Sequence, residues 1–300
     1  MRWIAASLLG LLAVGCGAPL SPARATQHQT IVGGSEDPGD PTVVAFEVAG
    51  LVYCSGALVG PRTVLTAGHC ANLIGTSDKY AVDFGPDATA PTRQIRVIQQ
   101  VTHPSYTAEG APYDFALLQL VEPVTDVTPL PIATDPMTQA DVGTLIRHVG
   151  YGINDETAGT GEGTKRTATY PITEVDPLIV WSVGPGEQTC NGDSGGPGFL
   201  TLSDGGEVLA AVVSDGPNCH DAGWDGRVDV VADWIQTTRA TFEPDAGPVD
   251  AGVAFHADAG SGDDNGGGCE SSGGTELVAI LFAVGVGVAW RKRQNGSTTT

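Results

Sequence analysis

The sequence predicts an all-β fold, either a β-sandwich or a pair of β-barrels, with one helix over 228–239. Turn-forming residues are abundant: 42 Gly and 20 Pro stand against only 16% charged side chains, which leaves little of the Ala/Glu/Lys/Leu content of a helical bundle. Between those turns, short runs of β-branched and aromatic residues recur at 43–48, 52–59, 63–66, 95–101, 115–120, 145–150 and 208–214. The stretch 228–239 breaks the pattern by spacing Val231, Trp234 and Ile235 at helical intervals. At 300 residues the chain has room for one large β domain or two ordinary ones.

The two ends read differently from the body. Met1-Arg2-Trp3 followed by the apolar run 4–14 has the charged-then-apolar form of a secretory signal and is too short to span a bilayer, so export is expected. Two processing sites fit. Ala13-Val14-Gly15-Cys16 resembles a bacterial lipobox, which would put lipid on Cys16, and Ala23-Arg24-Ala25 suits ordinary small-residue cleavage. Beyond Phe242 the sequence turns to Glu243-Pro244-Asp245-Ala246-Gly247-Pro248, repeats Asp-Ala-Gly at Asp250 and Asp258, and reaches Gly266-Gly267-Gly268. Such an acidic linker cannot bury a core. Cys269 and a Ser/Gly stretch then precede an apolar run at 277–290 and Arg291-Lys292-Arg293. That run is shorter than the ~20 residues of a standard span, but basic residues after it suit a membrane stop or cell-surface attachment. The order of Gly/Cys motif, short apolar helix and basic cluster resembles the C-terminal sorting tails of myxobacterial surface proteins. The expected organisation is therefore a signal or lipoprotein signal at 1–25, propeptide at 26–30, a folded body at 31–241, a linker at 242–268 and a sorting or anchoring tail at 269–300.

Lys plus Arg (14) against Asp plus Glu (35) leaves a net charge of −21, which opposes binding to phosphate backbones and makes nucleic acid a poor partner. The cysteines are Cys16, Cys54, Cys70, Cys190, Cys219 and Cys269. Export makes disulfides their natural use, six allow about fifteen pairings, and four lie in the body. No phosphate-binding Gly loop and no His/Glu cluster of ligand spacing is present, so neither a cofactor nor a metal is expected. His28, His103, His148, His220 and His256 are scattered and read mostly as surface or loop residues.

Three segments carry chemistry. Attack on a peptide carbonyl at neutral pH needs a nucleophile, a base beside it, a group orienting that base, and donors for the developing oxyanion. Val64-Leu65-Thr66-Ala67-Gly68-His69-Cys70 offers a base in His69, Tyr113-Asp114-Phe115-Ala116-Leu117-Leu118 offers a carboxylate in Asp114, and Gly192-Asp193-Ser194-Gly195-Gly196-Pro197 offers Ser194 in a glycine-flanked turn. Each alone has a bland explanation as a core histidine, a turn residue or a loop. In this order, and joined by Ile31-Val32-Gly33-Gly34, Cys54-Ser55-Gly56-Ala57-Leu58, His103-Pro104-Ser105-Tyr106, Gly150-Tyr151-Gly152 and Ser214-Asp215-Gly216, they resemble the chymotrypsin-like serine proteases over residues 31–239.

The resemblance implies two six-stranded antiparallel β-barrels with a C-terminal helix and a cleft between them, acting on protein or peptide substrates. It gives His69 the role of general base, Asp114 that of its orienting partner, and Ser214 that of a donor to Asp114. It assigns the oxyanion hole to the N–H groups of Gly192 and Ser194, and pairs Cys54 with Cys70 and Cys190 with Cys219. It further implies a zymogen in which an activating protease frees the Ile31 amine to meet Asp193. Two departures stand out. The residue before that cut is Thr30 where many relatives carry Arg or Lys, and the base of the specificity pocket is Gln188 where trypsins carry Asp. With Gly216 and Gly223 expected to line an open pocket, a neutral amide predicts non-tryptic specificity. A rival reading is an inactive, protease-shaped binding or adhesion protein at the cell surface, although all three chemical residues stand in intact motifs.

Overall fold

The computed structural model describes residues 31–72, 79–107 and 112–244. Cys16, Cys269, His28, His256, the linker beyond residue 244 and the apolar run at 277–290 lie outside the described residues, as do the signal and tail assigned to them. Among the described residues no helix is long and apolar enough to cross a membrane.

The first half runs β1 (Ser35–Glu36), β2 (Val43–Val48), β3 (Leu51–Gly60), β4 (Thr63–Thr66), α1 (Gly68–Asn72), β5 (Tyr80–Phe84), β6 (Arg93–Thr102) and β7 (Ala116–Leu120). The second runs β8 (Leu145–Gly150), β9 (Arg166–Val175), β10 (Ile179–Ser182), β11 (Pro197–Thr201), β12 (Glu207–Asp215), β13 (Gly223–Arg227) and α2 (Ala232–Phe242). Strands β2, β3, β4, β7, β6 and β5 pair antiparallel in that order and close into a barrel through β2 and β5. Strands β8, β9, β10, β13, β12 and β11 form a second ring, closed where β11 meets β8, and β1 pairs with the start of β9. Closure pairs both edges of each strand in the two rings, which suits a fold of short strands.

Local sequence explains the strands. In β6, Ile95 and Val97 point into the barrel while Gln94 and Arg96 face out, the period-two pattern of a half-buried strand. The β2–β3 hairpin turns on Ala49 and Gly50, both left-handed at φ 54° and 90°, and that primed turn matches the twist of the flanking strands. Phe46, Leu58, Val82, Ile95 and Leu117 fill the first barrel, and Ile146, Ile172, Val180, Leu200 and Val208 fill the second. Tyr151 spans the seam, its hydroxyl meeting the carbonyl oxygens of Val43 at 3.0 Å and Gly85 at 2.6 Å.

The helical spacing over 228–239 resolves into a 3-10 turn at Asp229–Val231 and then α2, whose Ile235 and Phe242 join the core of the first barrel. The body continues past the expected boundary. Phe242 is buried, and so is Glu243, whose Oε1 accepts from Arg62 N and Thr63 Oγ1 at 2.7 Å each and caps the β3–β4 turn.

His148 is a correction. It is wholly buried in the second barrel, because its Nε2 lies 2.8 Å from Asp225 Oδ2 and its ring stacks on Tyr170 at 4.8 Å. A histidine with an ionic partner can occupy an interior position that an isolated one could not. His103 is half-buried against Tyr113 and Trp234, and His220 is exposed.

The seam is tightly packed at Gly226, where an added Cβ would come within 2.6 Å of the buried Phe115 ring. Gly226→Ala is expected to cost about 1–3 kcal/mol of unfolding free energy by forcing that ring off its position, as measured by urea denaturation.

Candidate active site

The first barrel supplies His69 and Asp114. Strand β4 ends at Thr66, and Gly68 opens α1 with its Cα so close to Asp114 that an added Cβ would lie 3.1 Å from Oδ1. Glycine leaves room for that approach, in which His69 N donates to Asp114 Oδ1 at 2.7 Å. Asp114 itself sits in a tight turn before β7, with Tyr113 left-handed at φ 62° and Phe115 N donating to Tyr113 O at 2.8 Å. Its Oδ2 accepts from His69 Nδ1 at 2.8 Å and from Ser214 Oγ, on β12, at 2.7 Å. A buried carboxylate taking His69 Nδ1 at 2.8 Å places the ring proton on Nδ1 and leaves Nε2 as the ring's acceptor. The Cys54–Cys70 disulfide ties α1 to β3. Those sulfurs lie near His69 but offer no thiolate to a metal, being bonded to each other.

The second barrel supplies the nucleophile loop, which precedes β11 and is tied by the Cys190–Cys219 disulfide. Asp193 N donates to Cys190 O at 3.0 Å, Gly195 N to Val213 O at 2.8 Å and Gly196 N to Asp193 O at 2.8 Å. The N–H groups of Gly192 and Ser194 have no acceptor among the described residues. Gly192 is left-handed at φ 94°, and an added Cβ would lie 2.8 Å from Gly152 Cα, so the position requires glycine twice over. Ser194 lines a cavity, and its carbonyl accepts from Ser55 N at 2.8 Å. The Sγ of Cys70 lies 3.6 Å from His69 Nε2 and 3.7 Å from that same carbonyl oxygen, which brings base and nucleophile segments together. No bond from Ser194 Oγ to His69 forms in this structure, and such bonds often tighten only with substrate in place.

A model of the trypsin family matches residues 31–235. The chain belongs to the trypsin family of serine proteases. It is 32% identical to serine protease 56 of Mus musculus over 70% of this chain and 38% of that protein, so it spans well under half of that relative's length. It is 31% identical to trypsin 5G1 of Aedes aegypti over 69% of this chain and 84% of that one. The solved structure of neuropsin, a serine protease expressed in the limbic system of mouse brain, superposes with a TM-score of 0.60 at 26% identity, covering 69% of this chain and 98% of neuropsin.

In this member of the trypsin family a cavity of about 230 Å³ opens beside Ser194, lined by Thr189, Asn191, Ser214, Gly216, Asn218 and Gly223. Gln188 is buried behind Gly223 and is not among the residues lining this cavity: Nε2 donates to Ser182 O at 3.4 Å, an added Cβ on Gly223 would lie 2.5 Å from that nitrogen, and Oε1 has no hydrogen-bond partner among the described residues. Gly216 and Gly223 stand side by side, an added Cβ on the former stopping 3.3 Å from the Cα of the latter. Asp215 is exposed and turns its Oδ1 to Gly216 N at 2.8 Å.

Ile31 buries its side chain against Ala168 and Tyr170, and Val32 O accepts from Gln188 N at 2.8 Å, so the start of the body is bonded to the segment that carries Gln188. Asp193 is fully buried, with Oδ1 accepting from Gly152 N at 2.8 Å and Oδ2 from Cys190 N at 2.9 Å. Burial pushes its carboxyl up to about 6, against those two N–H bonds and the positive charge of Arg166 and His148. Sequence reasoning passed over Arg166, whose buried guanidinium holds the carbonyls of Gly152, Gly161 and Thr164, and over Ser55 and the His148–Asp225 pair.

A carboxyl raised from 3.8 to about 6 is protonated in the folded chain where the unfolded chain has already released its proton. Its contribution therefore falls as pH rises between those values and stays lost above them. We expect the stability of the uncleaved Ser194→Ala chain, relative to Ser194→Ala/Asp193→Asn, to decline from about pH 4 to about pH 6 and then level off, as measured by urea unfolding at each pH.

Proposed function

We propose that this chain is an exported serine endopeptidase that hydrolyses peptide bonds through an acyl-enzyme. The observation that carries the reading is a buried carboxylate holding His69 Nδ1, together with two backbone N–H groups, of Gly192 and Ser194, that have no acceptor among the described residues. His69 Nε2 takes the proton of Ser194 Oγ as it attacks the carbonyl carbon, and returns it to the leaving amine as the C–N bond breaks. Asp114 keeps the ring in the required tautomer and stabilises the imidazolium, while Ser214 fixes Asp114 from behind. The two free N–H groups receive the oxyanion. A water deprotonated by His69 then releases the acyl group. No cofactor or metal takes part in these steps.

The enzyme is made as a zymogen, and an activating protease cuts after Thr30. The burial of Ile31 and Asp193 supports the pairing of the new amine with that carboxylate. Such a pair lowers the Asp193 carboxyl again, because the ionised form gains a partner. Gln188 gives the pocket a neutral floor, so uncharged side chains before the scissile bond are preferred. The signal-like form of residues 1–14 and the tail's resemblance to sorting tails support a location at the cell surface or outside the cell.

A fluorophosphonate probe is expected to label the cleaved enzyme and not Ser194→Ala, and His69→Ala should lower kcat by roughly 10³-fold or more. Labelling that survives Ser194→Ala, or its absence after verified cleavage at Ile31, would favour the inactive binding protein. N-terminal sequencing should find Ile31 first. A peptide library should be cut after Leu, Phe, Tyr or Gln at least as fast as after Arg.

A further inference from the structure

We propose that Ser55 is a positioning residue that aims the oxyanion donors, a role that rests on the endopeptidase reading above. Ser55 is wholly buried on β3, in the barrel opposite the nucleophile loop. Its hydroxyl donates to Gly192 O at 2.9 Å, and its backbone N–H donates to Ser194 O at 2.8 Å. These are the carbonyls of the same two residues whose N–H groups lack acceptors. One residue therefore holds, from the far side, both peptide units that follow the two donors.

The hydroxyl is itself fixed. It accepts from Tyr151 N at 2.9 Å, and the Ser55 carbonyl accepts from Thr66 Oγ1 at 2.7 Å. The hydroxyl's single proton goes to Gly192 and its lone pair to Tyr151, which leaves it no freedom to rotate away. The constraint matters at Gly192 because glycine alone among residues can turn its peptide over at low cost. Donors contribute to catalysis only when preset toward the place where charge develops. Alanine at position 55 would take their partner from the Tyr151 N–H and the Gly192 carbonyl and remove the cross-barrel hold on the Gly192–Asp193 peptide.

Ser55→Ala should lower kcat on a peptide anilide about tenfold or more while KM stays within about twofold. Affinity for a peptidyl trifluoromethyl ketone, whose adduct with Ser194 carries the oxyanion, should fall by the same factor as kcat/KM. Affinity for the corresponding product peptide should hold. A folded Ser55→Ala enzyme with wild-type kcat, or one that loses product-peptide affinity in parallel, overturns the proposal. If Ser55→Ala does not fold, Ser55→Cys keeps the shape with a weak donor and must show the same split, its absence overturning the proposal equally. Wild-type enzyme that fails to label with fluorophosphonate after cleavage sinks the endopeptidase reading and this one with it. Labelled wild type beside an unaffected Ser55 variant sinks this one alone.

Discussion

The cleft is organised around the Asp114 carboxylate. It is buried, it takes two bonds from His69 and one from Ser214, and those donors come from different barrels. A charge placed there without its donors would be expensive, and removing one partner leaves the others around an uncompensated group. The two barrels are thus held in register by the demand of one buried group for donors, and the tautomer of His69 follows from that register. The close approach of Gly68 and the left-handed Tyr113 are the local concessions that let the carboxylate reach its place.

The second barrel carries a further set of buried charges. Asp193, Arg166, and the His148–Asp225 pair share the space beneath the nucleophile loop and beside the pocket floor, with Tyr170 stacked between them and Ile31. Arg166 reaches Asp193 through Gly152, whose carbonyl it binds and whose N–H binds the carboxylate. Bonds of this sort polarise one another, so Arg166, Gly152 and Asp193 act as one connected set.

Much of this was legible because period-two patterning and turn residues report directly on strands. The runs at 43–48, 63–66 and 145–150 coincide with β2, β4 and β8. The motifs around His69, Asp114 and Ser194 were legible because the constraints there are local: a glycine at a close approach, a hydroxyl in a tight turn. What the sequence hid are pairings between distant strands. Ser55 reads as one more small residue in a buried run, and only its meeting with residue 192 across the barrels makes it more than that. His148 reads as a loop histidine until Asp225, far along the chain, is placed beside it. Glu243 is hidden for the same reason: it resembles the acidic linker in composition, and its partners Arg62 and Thr63 lie far back along the chain.

That last contact sets how the body answers mechanical load. Tension applied through the chain beyond residue 244 enters at Glu243 and is handed to the β3–β4 turn and to α2 seated on the first barrel. The Ser194 loop and the cavity walls belong to the second barrel, which α2 joins through the 3-10 turn after β13. A chain held by its C-terminal end would thus be pulled at the point where the two barrels are stitched together.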